Sequence, residues 1–260
     1  MKHLIAAVVL LVLAESSVQA SFCDASLCPA GTIHIACNGL TSMAPSCGPE
    51  AFEVDLDTDK QVLILDLHNQ LRSKIAQGLQ NYTSNQYFPQ ARRMATLVWS
   101  DDLAYIAAAN ARRCVFGHDS CRNTPQFVAA GQNIAIKSYY GTTISDTDLI
   151  IGFVDAWYSE YADATPSHIA SFPSGGPTIG HFTQIVSDRT TEIGCSLVSY
   201  YTSPWINKLF VCNYALTNII SQPVYQSGNT CSACTTGCNA MYQGLCNEAE
   251  DINPNPWFAK

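Results

Sequence analysis

Apolar residues recur at three-to-four spacing over residues 58–78, where Val62, Leu65, Leu67, Leu71, Ile75 and Leu79 mark one buried face of a helix. Asp57 or Thr58 can cap its start and Gly78 sits where a helix stops. An alanine-rich helix over 103–114 follows Ser100-Asp101-Asp102, which place a cap and acids at its start. A third, over 148–161, is capped from Asp146-Thr147 and buries Ile150, Phe153, Val154, Trp157 and Tyr161. Alternation predicts a strand over 126–140, with Gly131 as a bulge candidate, and a short strand or bridge over 95–99. Residues 191–200 and 209–216 read as a hairpin around Thr202-Ser203-Pro204, with Cys195 and Cys212 on its arms. Residues 81–92 and the Ser/Pro/Gly-rich 162–177 read as loops. The order of elements predicts an α+β fold with helices on both faces of a small antiparallel sheet.

The ends of the chain change the picture. Met1-Lys2-His3 is a basic head, residues 4–14 are an unbroken apolar run, and Ser17-Val18-Gln19-Ala20 offers small residues for cleavage. Residues 1–20 therefore read as a secretory signal, with Ala20 the last residue removed. No other stretch approaches 18 apolar residues, so no transmembrane segment is expected. All twelve cysteines follow: Cys23, Cys28, Cys37, Cys47, Cys114, Cys121, Cys195, Cys212, Cys231, Cys234, Cys238 and Cys246. An even count behind a signal implies six disulfides, and makes Cys231-x-x-Cys234 a staple rather than a redox or zinc motif. Residues 21–56 read as a cysteine-rich arm and 221–260 as a separate small cysteine-rich tail. Asn81-Tyr82-Thr83 is a glycosylation sequon. The net charge of −8, without basic runs, argues against nucleic acid as a partner.

Four stretches taken together resemble the CAP superfamily of cysteine-rich secretory, antigen 5 and pathogenesis-related 1 proteins: His68-Asn69-Gln70-Leu71-Arg72, the run from Gly117-His118-Asp119 to Asn123, Gly131-Gln132-Asn133-Ile134, and Gly180-His181-Phe182-Thr183-Gln184. Cys212-Asn213-Tyr214 adds a further signature. The fit places a CAP (SCP) domain at 57–220, and the cysteine arm points to the insect antigen 5-like, or venom allergen 5-like, branch. The resemblance implies a disulfide-stapled α-β-α sandwich with a central antiparallel sheet, and the pairs Cys23–Cys37, Cys28–Cys121, Cys47–Cys114 and Cys195–Cys212. The last four cysteines are left with three ways to pair. Departures stand at Ser187, where the family often has tryptophan, and at Leu216, Asn218 and Ile219, in place of proline, glycine and asparagine.

The resemblance also implies a cleft with two histidines and two acids. By position these are His118, His181 and Glu160, with the neutral Gln132 at the second acidic place. Two neutral imidazoles can hold zinc or copper weakly, and Glu160 can fix a tautomer by accepting an imidazole N–H. His68 is expected to bond a neighbouring loop. No G-x-S-x-G elbow or H-E-x-x-H spacing is present, so no enzyme activity is expected. The expected function is that of a secreted, extracellular, non-catalytic and monomeric antigen 5-like protein that binds an extracellular protein or a small lipid or sterol. Two alternatives are a metal-assisted hydrolase or copper-dependent redox protein using His118 and His181, and a purely structural extracellular module.

Overall fold

A computed structural model describes residues 22–258 of the chain; the expected signal segment lies outside the described residues. The fold is α+β. The strands are β1 (Phe52–Val54), β2 (Asn81–Thr83), β3 (Gln86–Tyr87), β4 (Val98–Trp99), β5 (Gly131–Tyr139), β6 (Glu192–Thr202) and β7 (Trp205–Tyr214). The helices are α1 (Thr58–Ala76), α2 (Asp101–Ala111), α3 (Asp146–Ser159), α4 (Pro166–Ala170) and α5 (Gly180–Val186). The main sheet runs β1-β6-β7-β5, antiparallel throughout, with β4 added parallel to β6. The β6–β7 hairpin is its centre and brings Cys195 opposite Cys212.

Period-two alternation divides the hairpin between two cores. Ile193, Cys195 and Leu197 of β6 and Phe210, Cys212 and Tyr214 of β7 are buried with apolar residues of α1, α3 and α5. Val198, Leu209 and Val211 face the other way, against Ala107 and Ala111 of α2. The alanines of α2 let its backbone approach the sheet: a Cβ at Gly194 would run into the Ser100 carbonyl and the Ala104 amide.

Three polar residues of α1 are buried and tie the layers together. The side chain of Asn69 exchanges two hydrogen bonds with the main chain of Leu97, at 3.0 and 2.8 Å. The Arg72 guanidinium donates to the carbonyls of Ala95, Ile185, Ser187 and Thr190, at 2.6 to 3.3 Å. Burial lowers its pKa to about 9. His68 bonds the Ile64 carbonyl through Nδ1 at 2.7 Å and the Tyr214 hydroxyl through Nε2 at 2.9 Å. Its partners are therefore its own helix and the sheet, not the neighbouring loop expected for it. Because the Ile64 carbonyl only accepts, Nδ1 carries the proton and Nε2 accepts from Tyr214.

Element boundaries differ from the sequence expectations in instructive ways. The strand expected from residue 126 begins at Gly131, since residues 126–130 form a turn closed by Thr124 and Phe127. Gly131 is no bulge; a Cβ there would meet the Gln184 amide and the Leu216 carbonyl. The third helix starts earlier, at Asp146, because Ser145 caps it. It ends at Ser159, and a 3-10 turn over Glu160–Asp163 follows. The second helix begins at Asp101 and stops at Ala111. The loop expected over 162–177 contains α4, whose Ile169 is fully buried.

Six disulfides are formed: Cys23–Cys37, Cys28–Cys121, Cys47–Cys114, Cys195–Cys212, Cys231–Cys238 and Cys234–Cys246. The amino-terminal arm buries Phe22 and Ala36 against Ile106 and Ala109 of α2. The carboxy-terminal stretch is not a separate unit, because Val224, Tyr225 and Leu245 belong to the core of α1 and α3. Asp188 accepts from the Gln226 amide at 2.9 Å and so fastens this stretch to the end of α5.

Two buried groups oppose one another as pH falls. Burial depresses His68 to about 4, so its neutral form is favoured and stability drops as pH falls from the ordinary histidine value through about 4. Burial raises Asp188 to about 6, so acidification through about 6 stabilises the fold. Thermal unfolding of an Asp188→Asn variant should therefore show a steeper loss of Tm between pH 6.5 and 4 than the wild type. Equal slopes in the two proteins would refute the opposition.

Candidate functional site

The first imidazole sits on the irregular stretch between Cys114 and Cys121, whose two ends are fastened by the disulfides to Cys47 and Cys28. His118 is exposed, and its Nδ1 lies 2.8 Å from Oε1 of Gln132 on β5. The amide of Gln132 cannot turn freely. Its Nε2 donates to Asp119 Oδ2 at 2.8 Å and to Asn213 Oδ1 at 2.9 Å. A carboxylate only accepts, so Asp119 fixes which end of the amide faces His118. Oε1 then accepts from Nδ1–H of His118, and Nε2 of that ring keeps its lone pair.

Asp119 is built to stay charged. Burial works against its ionisation. The nearby Arg122 guanidinium and donors from Asn110 and Gln132 outweigh it and hold the carboxyl below its usual range. Asn110 donates to Oδ2 at 2.8 Å, and Arg122 Nε lies 3.0 Å from Oδ1 as an ion pair off the hydrogen-bonding direction. Gln132 by itself brings no charge, as its sequence position implies; Asp119, which the sequence reading does not single out, supplies it. The signal was available, since an acid directly follows His118 and an amide stands where the family has its second acid.

The second imidazole opens α5. Glu160, just past the end of α3, receives three donors: the backbone amides of His181 at 2.8 Å and Phe182 at 3.2 Å through Oε2, and the ring Nδ1 of His181 at 2.7 Å through Oε1. One carboxylate thus satisfies the free amides at the helix start and sets the tautomer of His181, again leaving Nε2 with its lone pair. The Trp157 indole stacks on the His181 ring with centroids 6.0 Å apart. The Gly180 carbonyl accepts from Asn218, one of the departing residues, at 2.9 Å.

The two imidazoles are anchored from opposite faces of one edge strand. Gln132 projects to the α2 side, where it meets Asn213. Asn133 projects to the α1 side, where its amide donates to the His181 carbonyl at 3.2 Å and to the Tyr214 hydroxyl at 3.3 Å. Trp157 reaches over the strand to donate from Nε1 to the Ile134 carbonyl at 3.4 Å. His118 with Gln132, and His181 with Glu160, are the site residues in direct contact. Among the described residues no three His, Cys, Asp or Glu side chains converge on a metal position. Asn81 of the sequon is exposed on β2.

The family profile for CAP, the cysteine-rich secretory protein family, matches residues 65–214. The chain belongs to the CAP family. Venom allergen-1 of Aedes albopictus is 45% identical over 239 residues, covering 91% of each chain. Venom allergen 5.02 of Dolichovespula maculata is 38% identical, over 75% of this chain and 89% of its own. Among solved structures, that of NaASP2 with Zn2+ superposes with a TM-score of 0.62 at 26% identity, over 74% of this chain and 96% of that one. The CAP match runs from within α1 to the end of β7 and so contains His118, Gln132, Glu160 and His181.

The tautomer relay through Gln132 can be read directly. In an Asp119→Ala/Asn213→Ala double variant the Gln132 amide loses both of its fixed acceptors, Asp119 Oδ2 and Asn213 Oδ1, and can turn. Nitrogen-15 NMR of His118 should then change from a single Nδ1–H form to a mixture. An unaltered His118 spectrum in the variant would show that the acceptors holding Gln132 do not set the tautomer.

Proposed function

We propose that this CAP chain is a secreted, non-catalytic binding protein whose two histidines take a divalent cation weakly. The observation that carries the reading is the fixing of both rings. Each Nδ1 is committed to an oxygen acceptor, on Gln132 and on Glu160, so each Nε2 is offered as a metal ligand. The donor set suits zinc as two imidazoles with water completing the sphere, and not as a closed four-ligand site. Zinc in the NaASP2 crystal structure, a fold relative, supports the choice of ion. When bound, the cation would supply positive charge and exchangeable coordination positions at the mouth of the cleft.

A non-catalytic role is supported by the lack of a poised nucleophile near the histidines. The Ser159 hydroxyl donates to the Ala156 carbonyl of its own helix at 2.7 Å. A protein partner is favoured over a lipid, because Ala164 and Ile169 of the 162–177 stretch are turned into the core and not outward into an apolar groove. Secretion follows from the signal-like residues 1–20 and agrees with six disulfides, which persist in oxidising compartments.

Titration calorimetry with zinc should give binding in the wild type and none in the His118→Ala/His181→Ala double variant; equal heats would end the metal reading. Gln132→Glu puts a carboxylate directly on His118 and should tighten zinc by about tenfold, the scale of changes to groups that orient metal ligands.

A further inference from the structure

The sheet ends at β5, and its outer edge is a docking surface in its own right. Which main-chain groups point outward follows from the register. On β6, the Ile193 and Thr191 carbonyls accept from Ser100 and Val98, so odd-numbered residues of β6 face away from β7. Even-numbered residues of β6 therefore bond β7, opposite its odd-numbered residues Asn213, Val211 and Leu209. That leaves the even-numbered residues of β7 to bond β5. Their partners there are Asn133, Ala135, Lys137 and Tyr139. The N–H and C=O groups of Gln132, Ile134, Ile136 and Ser138 accordingly point out of the sheet. The bond from Trp157 to the Ile134 carbonyl is an independent sign of the same parity.

Trp157 covers the edge at Ile134. Beyond it, the main-chain groups of Ile136 and Ser138 have no partner among the described residues. Ile136 is half-buried, whereas Lys137 and Ser138 are exposed. One end of this open edge abuts Trp157 and, stacked on it, the His181 ring. At the other end Tyr140 is 65% exposed and meets Trp205, 47% exposed, edge-on at 6.2 Å. A row of free donors and acceptors bounded by a cleft and an aromatic pair is the pattern that receives an added strand.

We propose that β5 binds an extended polypeptide segment of a partner protein by strand addition, with one end of the segment at the histidine cleft. Charge selects the segment. Lys137 projects to the α1 side without an acidic partner among the described residues, while its neighbour across the ladder, Lys208, is already paired with Asp146 at 2.7 Å. Ile136 and Tyr140 lie on the other side. A segment alternating acidic and β-branched residues therefore matches both faces, with the acids toward Lys137 and the apolar residues toward Ile136. The proposal rests on the binding-protein reading above but not on the metal.

The probe is a seven-residue peptide of alternating Val and Glu with blocked ends, titrated into the isotope-labelled chain in the presence of a chelator. NMR should show slowed hydrogen exchange at the Ile136 and Ser138 amides, with Asn133, Ala135 and Lys137 protected before any peptide is added. Ser138→Pro removes an outward N–H without touching the β5–β7 ladder and should weaken the peptide about threefold to tenfold, with Ser138→Ala as the control for the lost hydroxyl. Lys137→Glu should weaken it as well. The same peptide with its interior amides N-methylated should not bind, which keeps the test sound if the proline variant misfolds. Equal binding of the methylated peptide, or protection elsewhere on the chain, would overturn strand addition. A concentration-dependent dimer protecting Ile136 and Ser138 would assign the edge to a second copy instead and would also overturn it. Because chelator is present throughout, failure of the zinc reading leaves this result untouched, and failure here leaves the zinc titration standing.

Discussion

The buried guanidinium of Arg72 holds the layers in register. A cation with no water around it is costly unless every donor is used, and here the donors end on main-chain carbonyls of three separate segments, at Ala95, at Ile185 and Ser187, and at Thr190. Those carbonyls could not be satisfied by an apolar side chain of the same size. The interaction therefore fixes where α5 ends relative to α1. Glu160 fixes where α5 begins, by accepting from the amides of His181 and Phe182. A helix of seven residues tied at both ends has little freedom, and its first side chain is the imidazole of the cleft.

The same economy governs the edge strand. Along β5, side chains alternate between the two cores while main-chain groups alternate between β7 and the outside. Gln132 and Asn133 can thus recruit His118 from one face and His181 from the other within two consecutive residues. Asn133 also joins the cleft to the interior. It donates to the Tyr214 hydroxyl, which donates to His68, whose other nitrogen donates to the Ile64 carbonyl. Neutral His68 completes that chain, and burial keeps it neutral. The polar residues of α1 are thus part of the support for the cleft, not a surface feature.

Much of this was legible in the residues. The three long helices and the hairpin follow from apolar patterning and caps, and the CAP resemblance implies the Cys195–Cys212 pair; the pattern misleads at Val62 and Leu79, expected on a buried face and exposed in the fold. The CAP resemblance pointed to His118, His181, Glu160 and Gln132, and the fold puts His118 against Gln132 and His181 against Glu160. Boundaries shifted where a local hydrogen bond overruled the pattern, as when the Ser145 cap started α3 early or the turn at Thr124 and Phe127 delayed β5. The role of His68 was misread because a histidine on a helix beside an asparagine carries no mark of what lies across the core. The tail was misread for a related reason. Its polar and cysteine-rich composition hides the few residues, Tyr225 and Leu245 among them, that enter the common core.

Gln132 shows why residue-by-residue comparison can mislead at a cleft. Read as a lost acid, it suggests a weakened site. Placed in its surroundings, it is the middle of a relay whose charge has moved one residue outward, to Asp119. A carboxylate at position 132 would polarise His118 directly. The amide fixes the tautomer of the ring without placing a carboxylate against it. On the proposed metal reading, the arrangement favours a cation held loosely over one held permanently. It also makes the mouth of the cleft less negative than a second carboxylate would, which matters for the edge beside it. An acidic segment approaching Lys137 along β5 meets Glu160, whose charge is turned onto three N–H donors, and no carboxylate at position 132. The amide at position 132 thus removes a like-charge obstacle to the peptide proposed for the edge.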